Sequence, residues 1–226
     1  MTLGRSSIRL AAMLMVPLLL AACSSSGATA TPGAPAAQAG YPAGCPTSQP
    51  AALAADATRT VTIATPKGTI VIAIKGSLSP IATGNFVALA SCGYYDNVVF
   101  QRLVPGFVIQ GGDGQYGRLP NLDTSRVGRG GPPYKIQDEP VTAQYARGVV
   151  AMARSSLPNS VSSQFFIVLD NAAEPALSSA NTYQIVGTVT SGMDTVDAIA
   201  SMPSSGDPAY AAIDPVPMTK VTVATP

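Results

Sequence analysis

From Arg59 onward glycine and proline recur so often that the apolar stretches between them stay short, which leaves no room for a row of long helices. The chain of 226 residues holds 21 glycines and 20 prolines. What remains between the breaks is rich in β-branched residues. TVTIAT (60–65) and GTIVIAI (68–74), joined through Pro66 and Lys67, read as a strand pair. Further strands are expected at 98–103, 107–111, 148–153, 164–169, 184–189 and 218–224. SPIATGNFVALAS (79–91) reads as a helix with Ser79 as N-cap, Pro80 at its first position, Ile81, Phe86 and Leu89 on one face, and a stop at Gly93. A second short helix should follow Gly192, with Met193, Val196, Ile199 and Ala200 on its apolar face. Many strands and two helices predict a mainly β antiparallel barrel or sandwich, because a doubly wound sheet needs a helix between most strand pairs. The intervals 112–147 and 170–183 read as long loops, the usual place for function in a compact domain.

The N-terminal end has a different composition. Arg5 and Arg9 precede an apolar run, 10–22, that Pro17 interrupts and that is short of the ~20 residues a membrane span needs. Residues 1–22 therefore read as a signal peptide. Leu20-Ala21-Ala22-Cys23 resembles the bacterial lipobox, which implies lipidation of Cys23. Residues 23–58, dominated at first by Ser, Ala, Gly, Thr and Pro, then read as a tether ahead of a domain at 59–226. The expected location is the bacterial cell envelope, on the extracytoplasmic face and anchored in the membrane through the lipid. Losing residues 1–22 takes Arg5 and Arg9 from the 13 basic residues and none of the 12 acidic ones, leaving 11 against 12. Nucleic acid is excluded as a partner on that balance. Cys45 and Cys92 are the other two cysteines. Outside the cytoplasm they either bridge, which stabilises by about 4 kcal/mol for a loop of this length, or remain two buried thiols. Two isolated cysteines in a chain without histidine cannot complete a tetrahedral metal site.

The absence of histidine also bears on chemistry, since histidine is the commonest general acid–base. Yet FQRLVPGFVIQGGDG (100–114) places a lone Arg102 inside a strand-like segment, with Val108 and Gln110 two apart on the next strand and so on one face. This segment is similar to the cyclophilin signature F-x-R-x-x-x-G-F-x-x-Q-G-G-D. GVVAMARSSLPNSVSSQFFIV (148–168), YQIVGTVTSGMDTVDAI (183–199) and RGGPPYKIQDE (129–139) resemble further family segments, in the family's order, across about residues 60–224. The glycines of GGDGQYG and GRGG do not make a phosphate loop, since neither opens a helix with a following Lys-Ser or Lys-Thr.

The resemblance implies a closed antiparallel eight-stranded barrel capped by two helices, with a peptide groove on its outer face. It implies peptidyl-prolyl cis–trans isomerisation without metal or cofactor, by a monomer, on proline-containing segments of exported proteins. Arg102 and Gln110 stand at the catalytic positions, with Phe107, Val108, Phe166 and Leu177 around the proline and Ala153, Arg154, Gln164 and Tyr183 along the groove. An alternative is a proline-binding or chaperone module with little turnover. The chain departs from the family at Ala176, where tryptophan is frequent, at Tyr183, where histidine is, and at Arg154 and Gln101.

Overall fold

Two segments of alternating threonine and isoleucine or valine begin the sheet: β1 (Thr58–Thr65) and β2 (Gly68–Lys75) pair antiparallel over their whole length, from Thr58 opposite Lys75 to Thr65 opposite Gly68. Val61 and Ile63 on β1, and Ile70, Ile72 and Ile74 on β2, are buried, whereas their neighbours are exposed or half-buried. This is the period-two pattern of a strand with one face in a core. The structure, a computed structural model, describes residues 40–225. The expected signal peptide, the expected lipidation site Cys23 and the first part of the expected tether lie outside the described residues.

The remaining strands are β3 (Val98–Val104), β4 (Val108–Gly111), β5 (Val149–Met152), β6 (Phe165–Val168), β7 (Ile185–Ser191), β8 (Pro217–Met218) and β9 (Lys220–Ala224). They form one sheet in the order β8-β3-β4-β6-β5-β7-β2-β1-β9, antiparallel throughout. The expected strand 218–224 is divided at Thr219. On one side of the break β8 pairs with β3, and on the other β9 pairs with β1. One terminal segment thus joins the two ends of the sheet into a nearly closed barrel, which protects edges that would otherwise be open to another chain.

Among the described residues three α-helices accompany the sheet: α1 (Pro80–Ser91), α2 (Glu174–Ala180) and α3 (Met193–Ala200). α2, in an interval read as loop, is a third helix beyond the two expected. Its seven residues are too few for a helical period to be read, and Pro175 and Ala180-Asn181 look like turn punctuation. Ser79 occupies the N-cap position of α1 but its side chain makes no capping bond. The Glu139 carboxylate serves instead, accepting from the backbone N–H groups of Ile81 (2.8 Å) and Ala82 (2.9 Å). A carboxylate suits the positive end of a helix dipole better than a hydroxyl does.

Phe86, Leu89, Val196 and Ile199 from α1 and α3 join the barrel core, where Phe86 meets Phe165 edge-on with centroids 5.2 Å apart. A second apolar cluster lies on the other face of the sheet. Its members alternate with core residues along the strands: Phe165 and Ile167 of β6 point in and Phe166 and Val168 point out, Val150 and Met152 of β5 point in and Val149 and Ala151 out. Burial on both faces explains why these strands read as unbroken apolar runs.

Of the segment expected as a tether, residues 41–57 pack against the domain. Tyr41 sits edge-on to Tyr94, Cys45 enters the core and is bonded to Cys92, and the Leu53 N–H donates to the Pro80 carbonyl at 2.9 Å. The backbone passes so close to α1 and to the end of β2 that a Cβ at Gly84 would lie 2.2 Å from the Ala51 oxygen, and one at Gly76 would lie 2.0 Å from the Ala54 oxygen. Its alanine-rich composition resembles that of a linker, but alanine is also the side chain that permits such close approach.

Candidate active site

A strict alternation starting from Val98 and Phe100, which face the core, would put Arg102 in the core as well. A β-bulge prevents this. Phe100 pairs with Gly111 but Arg102 pairs with Gln110, so two steps on β3 face one step on β4, and Leu103 takes the next core position. The extra residue turns the guanidinium to the outer face, a common use of bulges beside active sites. There Arg102 stands opposite Gln110, Gln110 opposite Phe166, and Phe166 opposite Ala151, in one row across four strands.

Arg102, Gln110 and Phe166 of that row line a pocket of about 260 Å³. Phe107, Val108, Phe166 and Leu177 supply apolar walls; Arg102 and Gln110 supply polar groups at one side. Leu177 and Ala176 come from α2, so the helix missing from the sequence reading closes one end of the pocket. Ala153, Arg154 and Tyr183 complete the rim. Nine of the ten expected catalytic and groove residues thus line the pocket. The tenth, Gln164, lies behind it.

Gln164 organises the polar side. Its amide oxygen accepts from Gln110 Nε2 (3.0 Å) and from Gln101 Nε2 (2.9 Å), while its own Nε2 donates to the Gly130 carbonyl (3.0 Å). Gly130 is in turn held by the buried Asp113, whose carboxylate accepts from the N–H groups of Gln115, Tyr116, Gly128 and Gly130. The Gln110 amide nitrogen is therefore committed to Gln164, not to Arg102. Among the described residues the Arg102 guanidinium has no hydrogen bond or ion pair with the protein, so its donors are available to a ligand.

Arg154 is placed by three partners: Asp138 (3.1 Å) and the carbonyls of Ser155 (3.1 Å) and Leu157 (2.9 Å), with its side chain only 10% exposed. It pins the 155–160 loop instead of pointing freely into the groove or into solvent. Tyr183 packs edge-on against Phe166 with centroids 5.4 Å apart, and its backbone N–H and carbonyl both bond to the hydroxyl of Tyr145, each at 3.1 Å. Burial pushes the Tyr145 phenol up to about 12. Tyr145, Gln101 and Asp113 support the site without belonging to the set of site residues that the resemblance implies. Asp113 stood inside the GGD motif, but Tyr145 had no local signal, lying in a polar stretch far from Tyr183 in sequence.

Among the described residues no group of three or more His, Cys, Asp or Glu is placed to hold a metal. The family model for cyclophilin type peptidyl-prolyl cis-trans isomerase matches residues 60–223. The chain belongs to the cyclophilin family. It is 40% identical over 150 residues to a probable peptidyl-prolyl cis-trans isomerase of Brucella abortus, covering 66% of this chain and 74% of that one. A peptidyl-prolyl cis-trans isomerase of Acinetobacter baylyi is 37% identical over 139 residues, 61% of this chain and 70% of its own. A crystal structure of a Cryptosporidium parvum cyclophilin superposes with a TM-score of 0.62 at 29% identity, covering 75% of this chain and 99% of that one. The same parasite protein has been crystallised in the presence of the dipeptide Ala-Pro, with 31% identity to this chain and a TM-score of 0.62. The cyclophilin described here is accordingly a peptidyl-prolyl cis-trans isomerase, and the outer pocket with Arg102 on its wall is its candidate active site.

Proposed function

We propose that Arg102 is the catalytic donor and that the enzyme acts on X–Pro bonds of exported proteins at the cell envelope, tethered through a lipid on Cys23. Amide resonance sets a barrier of about 18–20 kcal/mol to rotation about the bond. As the bond twists, the prolyl nitrogen becomes pyramidal and gains a lone pair that can accept a hydrogen bond. A guanidinium donor meets that lone pair only in the twisted state, so it lowers the barrier and leaves both planar isomers nearly unaffected. The apolar walls grip the ring in either isomer and so contribute affinity.

The observation that carries this reading is the Arg102 guanidinium, turned outward by the bulge onto an apolar pocket and without a partner among the described residues. Arg102→Ala should keep the fold and most of the affinity for a short Ala-Pro peptide while turnover falls by roughly 100- to 1,000-fold, the loss expected on removing one preorganised transition-state donor. NMR line shapes report both quantities on one sample. A variant that isomerises the peptide at the wild-type rate would assign the donor to another group.

A further inference from the structure

Beside the proline pocket opens a second basin of about 520 Å³, and the two share Gln110, Ala153 and Arg154. Its other walls come from the 128–130 turn, Lys135, the 155–160 loop and Ser162. Three basic side chains line it, Arg129, Lys135 and Arg154, and no acidic one does. Arg154 is paired with Asp138, whereas Arg129 and Lys135 form no ion pair among the described residues.

Both are held by a rigid frame. The Arg129 N–H donates to the Arg126 carbonyl at 3.1 Å, and the glycines on either side of it donate to the same oxygen of Asp113 at 2.7 and 2.9 Å. Lys135 Nζ lies 3.2 Å from Ser162 Oγ. Burial pushes the Lys135 ammonium down, with the Asp113 carboxylate opposing that effect. An ammonium whose hydrogen bond goes to a neutral hydroxyl is one that an incoming anion would relieve.

We infer that this basin receives the carboxylate of an acidic residue in the peptide whose proline fills the neighbouring pocket, which makes Arg129 and Lys135 specificity-determining residues. The inference rests on the isomerase reading of the proline pocket. Shared walls mean that a peptide seated in one site passes over the other. An extended chain advances about 3.3–3.6 Å per residue, so the acidic residue sits a few positions from the proline.

The test uses peptides with one Ala-Pro bond and a single Glu, Gln or Lys at each of the three positions before and after it, with isomerisation followed by exchange NMR. At one of these positions Glu should raise kcat/KM over Gln by about 3- to 10-fold, as two partly exposed cations can supply, and Lys should lower it. Raising the salt from about 20 mM to about 500 mM should shrink that advantage. In the Arg129→Ser, Lys135→Ser double variant the Glu-to-Gln ratio should fall to about one. Equal rates for Glu and Gln at every position in the wild type, or a preference that survives the double variant, would overturn the inference while leaving the isomerase reading intact. Failure of the wild type to turn over even the Gln peptides would instead remove the reading of the proline pocket itself, and this inference with it.

Discussion

Arg102 reaches the groove because β3 carries one residue more than its partner, and the side chains behind the groove depend on similarly specific placements. Tyr94 and Tyr95 are fully buried. Tyr94 exchanges a hydrogen bond with Ser163 at 3.0 Å and accepts from the Gly114 N–H, while the Tyr95 hydroxyl donates to the Ser163 carbonyl at 2.8 Å. They thus tie the residues just before β6, one of the strands that carry the pocket, to the segment after α1. Burial raises both phenols well above the ordinary value, because the phenolate would lose its hydration. The sign follows from proton binding. Above about pH 10 the unfolded phenols lose their protons while the folded ones keep them, so the folded state binds more protons and stability declines as pH rises. The contribution is fully present below that pH. Each of the two should steepen the decline by about 1.4 kcal/mol per pH unit above pH 10. Urea midpoints at pH 8 and pH 11 should show the loss, and Tyr95→Phe should remove one tyrosine's share of the slope. Stability unchanged up to pH 11 would contradict this account of the two phenols.

Among the larger elements, the segment 41–57 is the least expected. Besides the Leu53 bond to Pro80, it is held where the Gln137 N–H donates to the Gln49 side chain at 2.9 Å and the Gly76 N–H donates to the Ala57 carbonyl at 3.0 Å. The Cys45–Cys92 link spans a sequence separation of 47. In the chain-entropy model closing such a loop stabilises by about 4 kcal/mol, so the Cys45→Ser, Cys92→Ser double variant should melt roughly 8–16 °C lower for a domain of this size. Elastase should then cut among the alanines at 51–55 before the rest of the domain is lost, because the strap's own contacts are few beside those of the barrel. Equal melting temperatures for the two proteins would show that the strap is held by its packing alone.

For the molecule as a whole, the sixteen residues 24–39 stand between the expected lipidated Cys23 and the described domain. Whatever their conformation, they span at most about 60 Å. That distance sets how far from a bilayer the groove could work. The proposal of an anchored enzyme predicts a mature chain that begins at Cys23 and carries lipid, which the intact mass of protein extracted from membranes would reveal. A chain that retains residues 1–22, or an unmodified Cys23, would rule the anchor out.

Readable from the residues alone were seven of the strand positions, α1 and α3, and the pair of terminal strand segments as one; of the ten groove residues that the cyclophilin resemblance implied, the fold brings nine together around one pocket. Those features rest on local patterns: period-two burial, proline at a helix start, glycine at its end, and motif spacing. Four others needed the folded chain. These are the bulge that turns Arg102 outward, the Glu139 carboxylate in place of the Ser79 hydroxyl at α1, the Asp138 and loop carbonyls that hold Arg154, and the Tyr145 hydroxyl that holds Tyr183. Glu139 is 58 residues from Ile81, and Tyr145 is 38 from Tyr183. Such partners share no local pattern; they meet only because barrel closure and strand register bring them together, and it is that register which decides the face each side chain takes.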